Sequence, residues 1–522
     1  VAVKTLVVST VVYRNHRNCN AFLCLDIISS PLDGWGTWIS GFRVVVRFPI
    51  PRPQAIPREY GYPIMTETVK IHSDIVFTLP DGPKSLPIWQ LLQWIGNPMG
   101  WMEACQKGYG DWFTLQIGAL GSIVFCAAPE GIQEIFTADS STFDAGQSNT
   151  LLRPLLGDHS LVLLDGDRHY HQRQLLIPPF HGERMRTYGD LILQITDQVA
   201  AAWEVGSAFS VRPAMQDISL QVILQAVFGI TDAQRLATLR NLFPKFLSLV
   251  DSPLSSSLLF IAALQKDWGS WSPWGRFVQQ REQLDQIIYT EISERRRHPD
   301  PDRTDILALM LMAKDAEGQG MTDVELRDEL ITLLLAGHET TASVLGWLLY
   351  FIHRFPAVLD RLRQELLTCD DLTDFKAVMK LPYLNAVCQE TLRLYPAAPI
   401  AFPRILRKPM TIMGRSYLPG TVIAPCIYLT HRRPDLYPEP EQFHPDRFLE
   451  KQFSAYEFLP FGGSNRRCIG MAFALFEMKM VLARLLQICE FQLSDQREQK
   501  PQRRGVTLAP SGALKLSLVG RY

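Results

Sequence analysis

Phe461-Gly462-Gly463-Ser464-Asn465-Arg466-Arg467-Cys468-Ile469-Gly470 is the stretch on which the fold turns. A single cysteine sits in a glycine-rich loop, seven residues after Phe461 and two after Arg466, and the apolar run Met471 to Leu486 follows at once. A protein that presents one thiolate to a metal from a tight, shielded loop needs this layout. Glycines let backbone approach a bound group closely and leave amide N–H groups free to face the sulfur. Arg466 can pair with an acidic cofactor edge. The plainer alternative is a buried structural cysteine in a turn, since free cysteine is among the most buried residue types. Phe461, Gly462, Arg466, Cys468 and Gly470, all at fixed offsets, favour the ligand.

The loop resembles the haem-binding signature of the cytochrome P450 superfamily, F-G-x-G-x-R-x-C-x-G. One position departs: Ser464 stands where the family has a second glycine. The resemblance covers about residues 79 to 520. It implies haem b (iron protoporphyrin IX) as cofactor, Cys468 as its axial thiolate and metal ligand, and Phe461 and Arg466 in the cofactor-binding loop. Thiolate ligation pushes electron density onto iron and favours O–O cleavage.

The strongest helical pattern runs from Thr322 to Phe355. Thr322-Asp323-Val324-Glu325 is a capping box and Pro356 a stop signal. Its flanks are apolar, but its middle reads Ala336-Gly337-His338-Glu339-Thr340-Thr341. A glycine, a carboxylate and two threonines are locally unfavourable in a buried helix, and local rules tend to break at functional sites. The residues alone leave two readings, a core helix with a polar kink or a helix locally opened beside a cofactor. The segment also resembles the oxygen-activation motif [AG]-G-x-[DE]-T-[TS] of the same family, without departure. That implies Thr340 as the hydrogen-bonding group in oxygen activation and Glu339 as its proton relay, with Ala336 at the substrate pocket.

Glu390 and Arg393 lie three residues apart on one helix face, ordinarily a solvated contact worth under ~0.5 kcal/mol. With Arg447, in Phe443-His444-Pro445-Asp446-Arg447-Phe448, they resemble the family's E-x-x-R pair and its later arginine, which implies a buried structural triad behind the cysteine loop. His169 and Arg173 share a helix face and resemble an H-x-x-x-R variant that contacts haem propionates; Arg404 resembles a further propionate-binding arginine. Ile400 and Phe402 are expected to line the substrate pocket. The aromatic stretch Leu242 to Phe277, with Phe243, Phe246, Phe260, Trp268, Trp271 and Trp274, resembles the mobile lid over the substrate channel, core packing being its other reading.

Composition bounds the rest. The chain has 522 residues, 47% hydrophobic and 20% charged, with a net charge of −1. This is a globular balance with no global field for nucleic acid. Nine scattered cysteines suggest neither a disulfide framework nor a zinc site. Residues 1–64 contain no methionine and no apolar run long enough to span a bilayer. They are expected to be a non-native or disordered extension, read through from an early start. Residues 65–522 are then one large unit, mostly α with a smaller β-rich region (α+β). Strands are predicted over Trp112 to Phe125 and after Pro399.

By the resemblance, the protein is a haem-thiolate monooxygenase that inserts one atom of O2 into an apolar substrate. Wording such as Pro178-Pro179-Phe180-His181-Gly182-Glu183-Arg184-Met185 is similar to soluble cyanobacterial members, which ranks a long-chain fatty acid first and a terpene or alkane next. No flavin, nicotinamide or iron–sulfur motif is present, so electrons are expected from a separate ferredoxin or flavodoxin with its reductase. Arg466, Arg467 and Lys479 are candidates to receive an acidic partner. A cytoplasmic monomer without a transmembrane anchor is expected. Two further readings differ in class: a haem-thiolate isomerase, dehydratase or peroxygenase using hydroperoxides, and a non-catalytic haem sensor or electron carrier. The acid–threonine pair argues against the first, and the open site it suggests argues against the second.

Overall fold

A computed structural model describes residues 20–26, 43–49 and 78–522, except 118–120, 181–183, 231, 252–264, 316–317, 370 and 506. The chain divides into two units, Val1–Phe77 and Thr78–Tyr522. In the first, Asn20–Asp26 pairs antiparallel with Arg43–Pro49. The expectation for residues 1–64 otherwise falls outside the described residues.

The second unit is helical around one main core and carries small sheets at its side. Its axis is the 32-residue helix Asp323–Arg354, about 48 Å long at 1.5 Å per residue. The capping box forms: Thr322 N–H donates to Glu325 Oε2 at 2.9 Å, and Glu325 N–H to Thr322 Oγ1 at 3.3 Å. Pro356 begins the next helix, Pro356–Leu366. The long helix packs against Val211–Phe228, Pro382–Leu394 and Met471–Ile488, and its apolar flanks fill the main core. Among the described residues, no single helix is long and apolar enough to cross a membrane.

The five-stranded sheet runs Trp112–Gln116, Ser122–Cys126, Val422–Pro425, Arg404–Leu406, Phe143–Asp144. Ser122–Cys126 and Val422–Pro425 are parallel, Ile123 opposite Val422. Period-two alternation gives the sheet two apolar faces. Phe113, Leu115, Ile123 and Phe125 enter one cluster, while Val124, Cys126 and Ile423 enter another. Both predicted strand regions are present.

The aromatic stretch divides. Phe243, Phe246 and Phe277 are fully buried in the main core, while Trp268 and Trp271 are exposed and stacked on each other at 5.6 Å. Phe260 lies outside the described residues.

Candidate active site

The cysteine loop is built by one close approach and two residues of positive φ. Gly462 adopts φ +65°, a conformation L side chains rarely take. A Cβ on Gly463 would overlap the Phe136 ring. Ser464 occupies φ +62° without being glycine, at a cost of about 1–2 kcal/mol. Cys468 N–H donates to Phe461 C=O at 3.0 Å and closes the loop. Cys468 is exposed, yet burial raises its thiol pKa. A side chain both accessible and deep in the fold borders an interior space. The Gly470 backbone N–H and the Arg173 and Arg467 guanidinia pull the other way and favour thiolate.

Four cationic or imidazole side chains crowd beside the loop. His169 and Arg173 come from the helix Gly166–Leu176, Arg404 from the strand Arg404–Leu406, and Arg466 from the loop. Burial, then Arg466 and Arg173, hold His169 neutral with its pKa down to about 3. Burial, then Arg466, lowers Arg404 to about 10; burial lowers Arg466 to about 10 against the pull of Asp165. Arg466 bonds Asp165 at 2.5 Å and donates to Leu164 C=O at 2.6 Å. Arg404 donates to Gly463 C=O at 3.0 Å, while its Nε is buried with no acceptor among the described residues. Arg466 feels Arg173 as well as Asp165 and Asp144, and it in turn lowers Arg404, a cationic cluster able to receive an anion. A tetrapyrrole edge with two propionates fits, and the accessible Cys468 sulfur would supply the soft ligand. The residues present therefore fit haem.

The long helix supplies the opposite chemistry. Its flanks 326–334 and 341–353 are buried, but Ala336 is exposed and Leu335, Gly337, Glu339 and Thr340 are partly so. The helix is continuous through this window, so the expected local opening is absent and the polar residues sit on an intact helix. Thr340 Oγ1 donates to Ala336 C=O at 2.6 Å, and Ser219 Oγ to His338 C=O at 3.2 Å. The Thr340 bond to the carbonyl four residues back is of the kind that bends helices, whereas Ser219 reaches across from the helix Val211–Phe228. Glu339 accepts from Arg212 at 2.9 Å and from Gln216 at 2.7 Å. Ile400 is half-buried on the sheet core and Phe402 is exposed.

Behind the loop, Arg393 makes two bonds to Glu390, at 2.7 and 2.8 Å, and Arg447 Nε a third at 3.1 Å, all buried. Three backbone carbonyls, of His431, Pro440 and Gln442, take the rest of the Arg393 fork at 2.8–3.1 Å.

Two expectations need correction. Lys479 is buried, its Nζ donating to Met379 C=O at 3.1 Å, and Arg466 turns inward to Asp165. Neither presents charge to a partner; of the three named, Arg467 alone is exposed. Sequence reasoning missed Arg212, Gln216 and Ser219. Their signal was a polar stripe at helical spacing on the largely apolar helix Val211–Phe228.

The family model for cytochrome P450 matches residues 80–516. Cytochrome P450 135B1 of Mycobacterium tuberculosis is 37% identical over 433 residues, covering 83% of this chain and 89% of that protein. Cytochrome P450 138 of the same species is 33% identical over 437 residues, covering 83% and 95%. Among solved structures, the retinoic acid-bound cyanobacterial CYP120A1 superposes with a TM-score of 0.75 at 25% identity, over 86% of this chain and 100% of that one. The P450DA haem domain shares the fold, with a TM-score of 0.73 at 23% identity. A cysteine loop beside a buried cationic receptor, in a fold and sequence shared across this breadth, has one explanation: the chain belongs to the cytochrome P450 family, monooxygenases whose cofactor is haem b.

Proposed function

We propose that this monooxygenase acts on a long-chain fatty acid, with Cys468 as the iron ligand, His169, Arg173, Arg404 and Arg466 holding the propionates, and Glu339 and Thr340 handling protons. The observation that carries the site assignment is the buried, under-neutralised guanidinium group beside an accessible cysteine. When bound, haem with a thiolate ligand supplies O–O cleavage, one oxygen atom entering an apolar C–H or C=C bond and the other leaving as water.

The chain's own residues bind, orient and move protons. Arg173 and Arg467 favour thiolate at Cys468. Ala336 opens the helix face to a bound substrate. Thr340, whose hydroxyl rests on Ala336 C=O, would supply a hydrogen-bonding hydroxyl at this window, and Glu339, held by Arg212 and Gln216, would relay protons to it. A carboxylate on an apolar substrate is supported by the retinoic acid held by CYP120A1, an apolar isoprenoid acid. Electrons come from a separate ferredoxin or flavodoxin with its reductase, and the enzyme works as a cytoplasmic monomer.

Two measurements test this. The ferrous–CO complex shows the red-shifted Soret band of thiolate ligation, and Cys468→Ala abolishes the band or the bound haem; an unchanged spectrum overturns the ligand assignment. Titrating the ferric protein with fatty acids, n-alkanes and terpenes of matched length gives the tightest spectral shift with the acids. A preference for the alkanes or terpenes overturns the substrate.

A further inference from the structure

One buried side chain stands between the Glu390–Arg393–Arg447 triad and the Cys468 loop. His431 caps the short helix Ile427–Thr430 and is fully buried. Its carbonyl accepts from Arg393 Nη1 at 2.8 Å. Its ring Nε2 accepts from the Leu459 N–H at 2.9 Å, which places the ring proton on Nδ1. The ring also stacks on Phe458 at 5.3 Å. Two residues beyond Leu459, Phe461 C=O takes the Cys468 N–H at 3.0 Å. An unbroken line therefore runs from the Glu390 carboxylate through Arg393, His431 and Leu459 to the cysteine. Tyr437 gives the line a parallel strand: its hydroxyl donates to Glu457 C=O at 2.9 Å, and the Arg393 guanidinium lies 5.0 Å from its ring.

We propose that His431 is the positioning residue that transmits the fixed geometry of the triad to the cysteine loop, through its Nε2 on the Leu459 N–H. This rests on Cys468 being the haem ligand. The ring suits the task because it cannot readily take a second proton. An imidazolium would set N–H against N–H at Leu459, inside a shell holding Arg393 and Arg432. Burial first, then those guanidinia, keep its pKa near 3. The acceptor therefore persists at and well below neutral pH. An aliphatic or aromatic replacement fills the space but leaves the buried Leu459 N–H without an acceptor.

The test compares haem-loaded wild type, His431→Phe and His431→Gln. The first variant keeps a flat ring on Phe458 and removes the acceptor; the second restores an acceptor oxygen. The readouts are the lifetime of the thiolate-type ferrous–CO band and the thermal unfolding of the whole chain by circular dichroism. Loss of one buried acceptor is expected to shorten the band's lifetime in His431→Phe by about ten-fold or more. His431→Gln recovers most of that loss, and bulk unfolding moves little in either. The proposal is overturned if His431→Phe keeps the wild-type lifetime, if Phe and Gln are equally impaired, or if the band disappears only as the whole chain unfolds. A wild-type protein without the thiolate band removes the underlying ligand assignment, and the proposal falls with it.

Discussion

Two clusters of charge flank the cysteine loop, one buried and one partly buried, and they are satisfied in opposite ways. In the triad, Glu390 lies between Arg393 and Arg447, and spare guanidinium N–H groups of both arginines are taken by backbone carbonyls. In the cluster of His169, Arg173, Arg404 and Arg466, Asp165 bonds Arg466, and Arg404 Nε has no acceptor among the described residues. A group that closes on itself holds a fold together. A group left short of negative charge is built for something not in the chain. The same residue types thus carry structure in one place and binding in the other, and completeness of pairing separates them.

The largest expected effect tests the closed cluster. Replacing Glu390 by Gln or Arg393 by Met leaves a buried charge without its partner, which costs about 3–5 kcal/mol. Denaturant midpoints of the haem-free protein are expected to fall accordingly, with no dependence on added haem. A midpoint within about 0.5 kcal/mol of wild type breaks the contrast, because the triad is then no more than surface-like.

The open cluster is expected to respond the other way. Arg404→Gln removes a buried cation repelled by Arg466, so the haem-free protein is as stable as wild type or more so. Haem affinity falls instead, by about 1.5–3 kcal/mol for the lost charge-assisted bond, or roughly ten- to a hundred-fold. Competition for haem with a carrier of known affinity measures it. Equal loss of haem-free stability in Arg404→Gln and Glu390→Gln would erase the distinction between the two clusters.

These contrasts show what was legible in sequence. The long helix was, because its signals are local: Thr322 and Glu325 cap it and Pro356 ends it. Cys468 and the Glu390–Arg393 spacing were legible for the same reason. The Glu339 clamp was not, because Arg212 and Gln216 lie 127 and 123 residues away and no local pattern links them. Lys479 was read as surface by residue type. Its helix is buried almost all round, and its ammonium finds Met379 C=O instead of water. The neutrality of His169 was hidden too, since it follows from tertiary crowding by Arg466 and Arg173.

That crowding gives a pH signature. A histidine whose folded pKa is depressed to about 3 from 6.5 stays unprotonated while the unfolded chain takes up its proton. The unfolded state binds more protons between those values, so stability is full above 6.5 and declines as pH falls toward 3. His169→Gln is expected to flatten this acid limb in the haem-free protein by up to about 1.4 kcal/mol per pH unit. Added haem should soften the wild-type limb, since propionates offset the guanidinia. An identical slope in variant and wild type would show that His169 does not feel the cluster.

The smallest effect concerns the loop that joins the two regions. Ser464 stands at φ +62°, where the family signature has glycine. Ser464→Gly relieves left-handed strain of about 1–2 kcal/mol but loosens the unfolded chain by about 0.5–1 kcal/mol. The net is a stabilisation of about 0.5 kcal/mol. Among the described residues, Ser464 Oγ makes one long contact, 3.5 Å to Asn465 Oδ1, so little side-chain bonding is lost. The gain should appear as a slower decay of the thiolate ferrous–CO band, because the relieved residue lies inside the loop and not in the triad. A destabilised Ser464→Gly variant would mean that the serine hydroxyl holds the loop by a bond formed only with haem in place, and the open region would then extend one residue further than the arginines.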